Sequence, residues 1–182
     1  MVFYKYFKSA IIVFVVFGML SCVKDVDFDQ AEDIALEPKL QVDLLIFDVD
    51  EVDFVDPITS QLRTVIRDTV RLEFLDDDYI QDNLQQVEFR FKYKNSFPQA
   101  FSNKISFLSE NNNTQHSLDF FIGAGSSLNP AITEKIDLIE EDRIQIIKRS
   151  IKMVVEIEVL PSQDPFEGSL SFASKGLFSF EF

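Results

Sequence analysis

Val87-Glu88-Phe89-Arg90-Phe91-Lys92-Tyr93-Lys94 alternates without a break: Val87, Phe89, Phe91 and Tyr93 take one side of an extended chain and four charged residues the other. Successive side chains of a strand point to opposite faces, so this period of two predicts a β-strand with one buried and one wet face. One-sided burial belongs to antiparallel sheets, whose second face meets water. Asn95-Ser96-Phe97-Pro98 then turns the chain.

Outward from this stretch the same signature recurs in short bursts. Residues 40–49 predict a strand, followed by the acidic run Asp50-Glu51-Val52-Asp53-Phe54-Val55-Asp56-Pro57. Residues 62–75 predict the next, with Leu62, Thr64, Ile66, Asp68, Val70, Leu72 and Phe74 on one face. Residues 104–109 and 117–122 flank Glu110-Asn111-Asn112-Asn113-Thr114, a polar loop that predicts a hairpin. Residues 132–139 alternate again. In residues 140–149 the apolar spacing becomes helical, with Glu140, Glu141 and Asp142 at the start and Lys148 and Arg149 near the end, which suits a short helix. Residues 151–159 predict a strand stopped by Pro161, and residues 168–172 and 177–182 a last hairpin about Ser174-Lys175-Gly176.

Eight or nine short strands with one or two short helices define an all-β chain. Their spacing predicts an antiparallel β-sandwich, immunoglobulin-like, over residues 39–182. The alternative is a lipocalin-like β-barrel with an interior pocket, although the chain has no Trp for the Gly-x-Trp motif that opens lipocalins. Twenty Phe within 46 % hydrophobic residues are enough for a sizeable core.

The N-terminus has a different composition. Lys5 and Lys8 precede an uninterrupted apolar run, residues 10–20, which ends at Ser21-Cys22. Eleven residues rise only about 16 Å as a helix, half of a bilayer core, so the run predicts a secretory signal. Cys22 is the only cysteine. Met19-Leu20-Ser21-Cys22 resembles the lipobox of bacterial outer-membrane lipoproteins, and Lys24-Asp25 after it resembles the surface-export signal of Bacteroidota lipoproteins, a resemblance confined to the N-terminal segment. It implies cleavage after residue 21, lipidation of Cys22, and attachment to the membrane on the periplasmic face or the cell surface. Several acyl chains on one residue meet the requirement for stable anchoring. Residues 22–38, rich in Asp and Glu, are then an acidic tether, and no cysteine remains for a disulfide.

The chain carries a net charge of −14. Cleavage after residue 21 removes Lys5 and Lys8 and no acid, taking it to −16. Such a surface repels phosphate backbones, which excludes nucleic acid as the expected partner. The single histidine, His116, predicts a surface polar residue rather than the base of a triad, because no Gly-x-Ser-x-Gly elbow accompanies it. Gly123-Ala124-Gly125-Ser126-Ser127 reads as a turn. Asp25-Val26-Asp27-Phe28-Asp29 resembles the start of an EF-hand loop but has Gln30 and Leu36 where the glycine and the closing glutamate should stand, and Asp48, Asp50, Glu51 and Asp53 are weak calcium candidates. Asp68-Thr69-Val70 resembles the O-glycosylation motif of exported Bacteroidota proteins, with Thr69 as acceptor. No cofactor is expected. The expected function is a non-enzymatic, lipid-anchored envelope module that binds an envelope protein or a glycan. The alternative is a carrier of a small apolar ligand or lipid.

Overall fold

Eight strands form two stacked sheets in the computed structural model, which describes residues 37–181. The strands are β1 (Lys39–Asp50), β2 (Val65–Arg71), β3 (Leu84–Asn95), β4 (Phe101–Leu108), β5 (Thr114–Ile122), β6 (Ala131–Glu140), β7 (Lys152–Val159) and β8 (Ser169–Phe180). Two short helices, α1 (Asp78–Asn83) and α2 (Ile144–Lys148), lie between strands. The signal segment, Cys22 and tether residues 22–36 lie outside the described residues.

One sheet has the order β1-β8-β3-β6 and the other β2-β7-β4-β5, every pair antiparallel. β4 and β5, joined by the Asn-rich loop, are the consecutive strands that pair as a hairpin. The other links carry the chain from one layer to the other or, at β5–β6, around the sandwich edge. The antiparallel sandwich matches the expectation. Its winding is that of an eight-stranded jelly roll, two interlocked Greek keys, and differs from the A-B-E-D/C-F-G order of immunoglobulin domains. The lipocalin-like barrel is overturned, because each sheet ends in two edge strands and the order does not close.

The expected hairpin at the C-terminal end is also corrected: residues 169–180 are one strand, seated between β1 and β3. Leu170, Phe172, Ser174, Gly176, Phe178 and Phe180 all face inward, so the alternation runs through the supposed turn. Two contacts explain why Ser174 and Gly176 belong inside a strand. β1 bulges between Asp43 and Ile46, and the Ser174 hydroxyl serves the bulge, accepting from Leu45 N and donating to Leu45 O, each at 3.0 Å. A Cβ on Gly176 would come within 2.6 Å of the buried Phe178 ring.

The predicted strand at residues 62–75 is shorter than its pattern, because residues Glu73–Asp76 tighten into a 3-10 turn that buries Leu75. The acid run beside it starts α1, where the Asp77 carboxylate accepts the Tyr79 N–H at 2.9 Å. The short helix expected in residues 140–149 forms as a 3-10 turn followed by α2.

The core is largely phenyl rings. Phe89 on β3 meets Phe107 on β4 with centroids 4.5 Å apart, joining the two layers. Tyr93 and Phe172 pack at the same separation within one sheet. Each fully buried Phe contributes about 1.5–3 kcal/mol relative to exposure, which is how a chain without disulfides among the described residues holds two sheets together. At one end Phe54, Phe97, Phe101 and Phe166 interlock, with Phe54 to Phe166 at 5.1 Å and Phe97 to Phe166 at 4.7 Å. Phe54 comes from the acidic run after β1 and is fully buried.

Candidate functional site

With Phe54 pinned in the core, the chain on either side of it stands out as an ordered loop, residues 51–64. Val55 and Leu62 form an isolated antiparallel bridge, and Arg63 N donates to Phe54 O at 2.6 Å. Asp56 organises the tip. Its carboxylate accepts the N–H groups of Thr59 and Ile58, each at 2.9 Å, and pairs with Arg63 at 2.7 Å. The Thr59 N–H foremost, then Arg63 and the Ile58 N–H, hold the Asp56 carboxyl well below the usual carboxylate range.

This loop exposes apolar side chains although its backbone is tightly bonded. Ile58 is 90 % exposed, Val52 69 %, Leu62 49 % and Val55 39 %. Val55 and Leu62 are bridge partners, so their side chains lie together on one side of the loop.

Beside the loop, the edge strands β1 and β2 part and leave a groove of about 350 Å³. Phe47 and Val49 of β1 form one wall, Val65, Ile66, Arg67 and Asp68 of β2 the other, and Val155 and Ile157 of β7 the floor. Asp53 and Arg63 border its loop end. β2 pairs with β7 on one side only, so its other edge faces the groove with backbone donors and acceptors unused by the sheet. An apolar floor beside such an edge suits an extended segment whose backbone pairs with β2 while alternate side chains enter the groove.

The residues singled out from sequence fall as follows. Asp48 faces solvent on β1 opposite Ser171. Asp50 and Asp53 are engaged in closing the turn after β1: Asp50 accepts the Val52 N–H at 2.9 Å and Asp53 the Asp50 N–H at 3.0 Å. Glu51 lies 3.5 Å from Gly168 N. The four do not converge, and among the described residues no three His, Cys, Asp or Glu side chains are grouped to hold a metal ion. Thr69 is exposed on the outer face of β2, opposite Val154.

His116 departs from the surface residue expected. It sits on edge strand β5, reaches across to β6 of the other sheet, and binds Asp137 Oδ2 through Nε2 at 2.8 Å. Its ring stacks on Phe107, and both partners' side chains are about 15 % exposed. Among the described residues no serine, threonine or cysteine hydrogen-bonds this imidazole, so the pair ties the layers together without a nucleophile. Sequence periodicity has no signal for a contact between strands of different sheets.

Gly125 explains the glycine-serine cluster: a Cβ there would lie 2.0 Å from Asn95 O. Asn95 itself is buried, donating to Gln99 O and Gly123 O at 2.8 Å each and accepting from Phe97 N at 2.9 Å, so it staples the β3–β4 and β5–β6 loops at this end. Among the described residues no helix is long and apolar enough to cross a membrane.

Fold and site together define a jelly-roll sandwich with an edge groove and an apolar loop. No protein family matches the chain. No curated protein matches it either. Solved structures align with the chain only at TM-scores below 0.5. The VP2 subviral particle of infectious bursal disease virus aligns over 79 % of this chain and 32 % of its own, at 9 % identity and a TM-score of 0.47. The enzymatically active domain of bacteriophage CBA120 tailspike protein 4 aligns over 79 % and 19 %, at 13 % identity and TM-score 0.40. A protein from Parabacteroides distasonis aligns over 63 % and 37 %, at 16 % identity and TM-score 0.45. The chain thus spans well under half of each of these structures.

Proposed function

We propose that this chain is a non-enzymatic lipoprotein of the bacterial envelope, anchored to the outer membrane through Cys22, whose domain binds a partner protein along the β1/β2 groove and the adjoining loop. The observation that carries the reading is the ordered 51–64 loop, which presents Val52, Val55, Ile58 and Leu62 to solvent beside an apolar groove. Exposed apolar side chains gathered on a rigid segment mark interaction sites. Aliphatic chains rather than exposed aromatic platforms favour protein over glycan as the partner, and function belongs to this site rather than to the jelly roll.

The test is site-specific photocrosslinking in the native host, with the photoreactive residue at Ile58 and, as a control, at Lys104 on the far sheet. One envelope protein captured from Ile58 and not from Lys104 is expected. A fatty-acid adduct from Ile58, with no protein, would favour the apolar-ligand carrier instead. No adduct above the Lys104 control would remove the binding site from the loop. The anchor is checked separately by metabolic labelling with an alkyne fatty acid, which wild type should incorporate and Cys22→Ser should not. Protease added to intact cells then distinguishes the cell surface from the periplasmic face.

A further inference from the structure

Four strands lie at sheet edges, and three of them carry features that discourage further pairing. β1 bulges at 43–46 and points Asp43, Asp48 and Asp50 outward. β2 is only 7 residues long, with Arg67, Asp68 and Arg71 among them. β5 shifts register opposite Phe107 and Leu108. β6 differs. It is 10 residues long and pairs with β3 in unbroken register from Gln86↔Glu140 to Asn95↔Ala131. Its outward side chains include Ile132, Ile136 and Leu138, exposed by 53 %, 57 % and 41 %.

β6 is also complementary to itself. In antiparallel pairing about a two-fold axis normal to the sheet, one residue of β6 lies opposite its own copy and directly opposed residues share a face. An axis at Glu134 opposes two glutamates, one at Lys135 opposes two lysines, and one at Asp137 opposes two aspartates. An axis at Ile136 opposes no like charges. It sets Ile136 on Ile136, Glu134 on Leu138, and Lys135 on Asp137 twice. Asp137 meets His116 through Oδ2, which leaves Oδ1 for the lysine. Like charges directly opposite destabilise a sheet and unlike pairs stabilise it, so among these four central registers, which pair the most of β6, charge selects the one at Ile136.

We propose that β6 is a homodimerisation edge: two copies of this chain join β6 to β6 antiparallel about an axis at Ile136, making one eight-stranded sheet from two. The surface is separate from the β1/β2 groove, so either assignment can fail without the other.

The test uses the full-length Cys22→Ser chain purified in detergent, which has no native thiol. In that background Ile136→Cys should form a disulfide-linked dimer on mild oxidation, while Lys104→Cys, on the outer face of the other sheet, should stay monomeric. Sedimentation of the Cys22→Ser chain without further change should show a reversible dimer. Lys135→Glu, at an exposed residue, should raise its dissociation constant about tenfold by turning two attractions into repulsions. A monomer at every concentration, crosslinking of Ile136→Cys no greater than that of Lys104→Cys, or a dimer indifferent to Lys135→Glu would each overturn the proposal.

Discussion

Tyr93 on β3 donates its phenolic hydroxyl to Asn103 Oδ1 on β4 at 2.7 Å, a fully buried polar bridge between the two sheets. Both residues are fully buried, and Asn103 Nδ2 has no hydrogen-bond partner among the described residues. Tyr93→Phe should therefore destabilise the domain by about 1–3 kcal/mol, because it strands the remaining acceptor of a buried amide. Adding Asn103→Leu should recover much of that loss, since both polar partners are then gone. Chemical denaturation of the two single variants and the double variant measures the coupling.

The same phenol sets an alkaline limit. Burial pushes the Tyr93 phenol far above its ordinary value of about 10. An acid whose folded-state value is raised contributes its full stability below the unfolded value and loses it as pH rises beyond. Stability should therefore fall from about pH 10 upward, and Tyr93→Phe should flatten that fall. Phenolate absorbance followed through a pH-jump should assign to Tyr93 a component that appears only with unfolding.

Gly176 and Gly123 form a matched pair. A Cβ at Gly176 meets the Phe178 ring at 2.6 Å, whereas at Gly123 the nearest atom is Ala131 Cβ at 3.7 Å. Gly176→Ala should cost about 1–3 kcal/mol by forcing a packed ring aside. Gly123→Ala should be near neutral. Thermal unfolding of both variants checks the contrast.

Asp56 should govern the order of the loop rather than the stability of the domain. Its carboxyl is held low by the Thr59 N–H, Arg63 and the Ile58 N–H. The order that a depressed carboxylate brings is present above about pH 4 and is lost as pH falls below that. Asp56→Ala should speed hydrogen exchange at Ile58 and Thr59 while leaving the melting temperature almost unchanged. If the melting temperature fell as far as the loop protection did, the loop would be part of the global folding unit.

Thr69 lies exposed on the outer face of β2, where an attached glycan would meet solvent. Intact mass of the protein from its native host should exceed the sequence mass beyond the lipid, and Thr69→Ala should lose that excess. Equal glycan mass in the two would place any modification elsewhere.

How much was legible beforehand depended on the range of each interaction. The strand at 87–94, the β4–β5 hairpin, the sandwich class and the short helix near 144–148 are all signalled by patterns within a few residues, which periodicity and turn chemistry record. The continuous β8 was not legible. Ser174 and Gly176 are local turn signals, and they act as strand residues only because Leu45 needs a hydroxyl and Phe178 needs space. Phe54 reads as part of an acidic run for the same reason, since its partners Phe97, Phe101 and Phe166 are remote in the chain.

By itself, then, the sequence determined the β class, the acidic charge and the alternation that divides each strand into a dry and a wet face, because those are properties of neighbouring residues. Only the tertiary structure decided the jelly-roll winding, the His116–Asp137 tie, the groove between β1 and β2 and the open edge of β6. Each of these depends on which strand lies beside which. Period two assigns a side chain to a face but carries no record of the neighbour across the sheet, so strand order emerges only when the whole core packs at once.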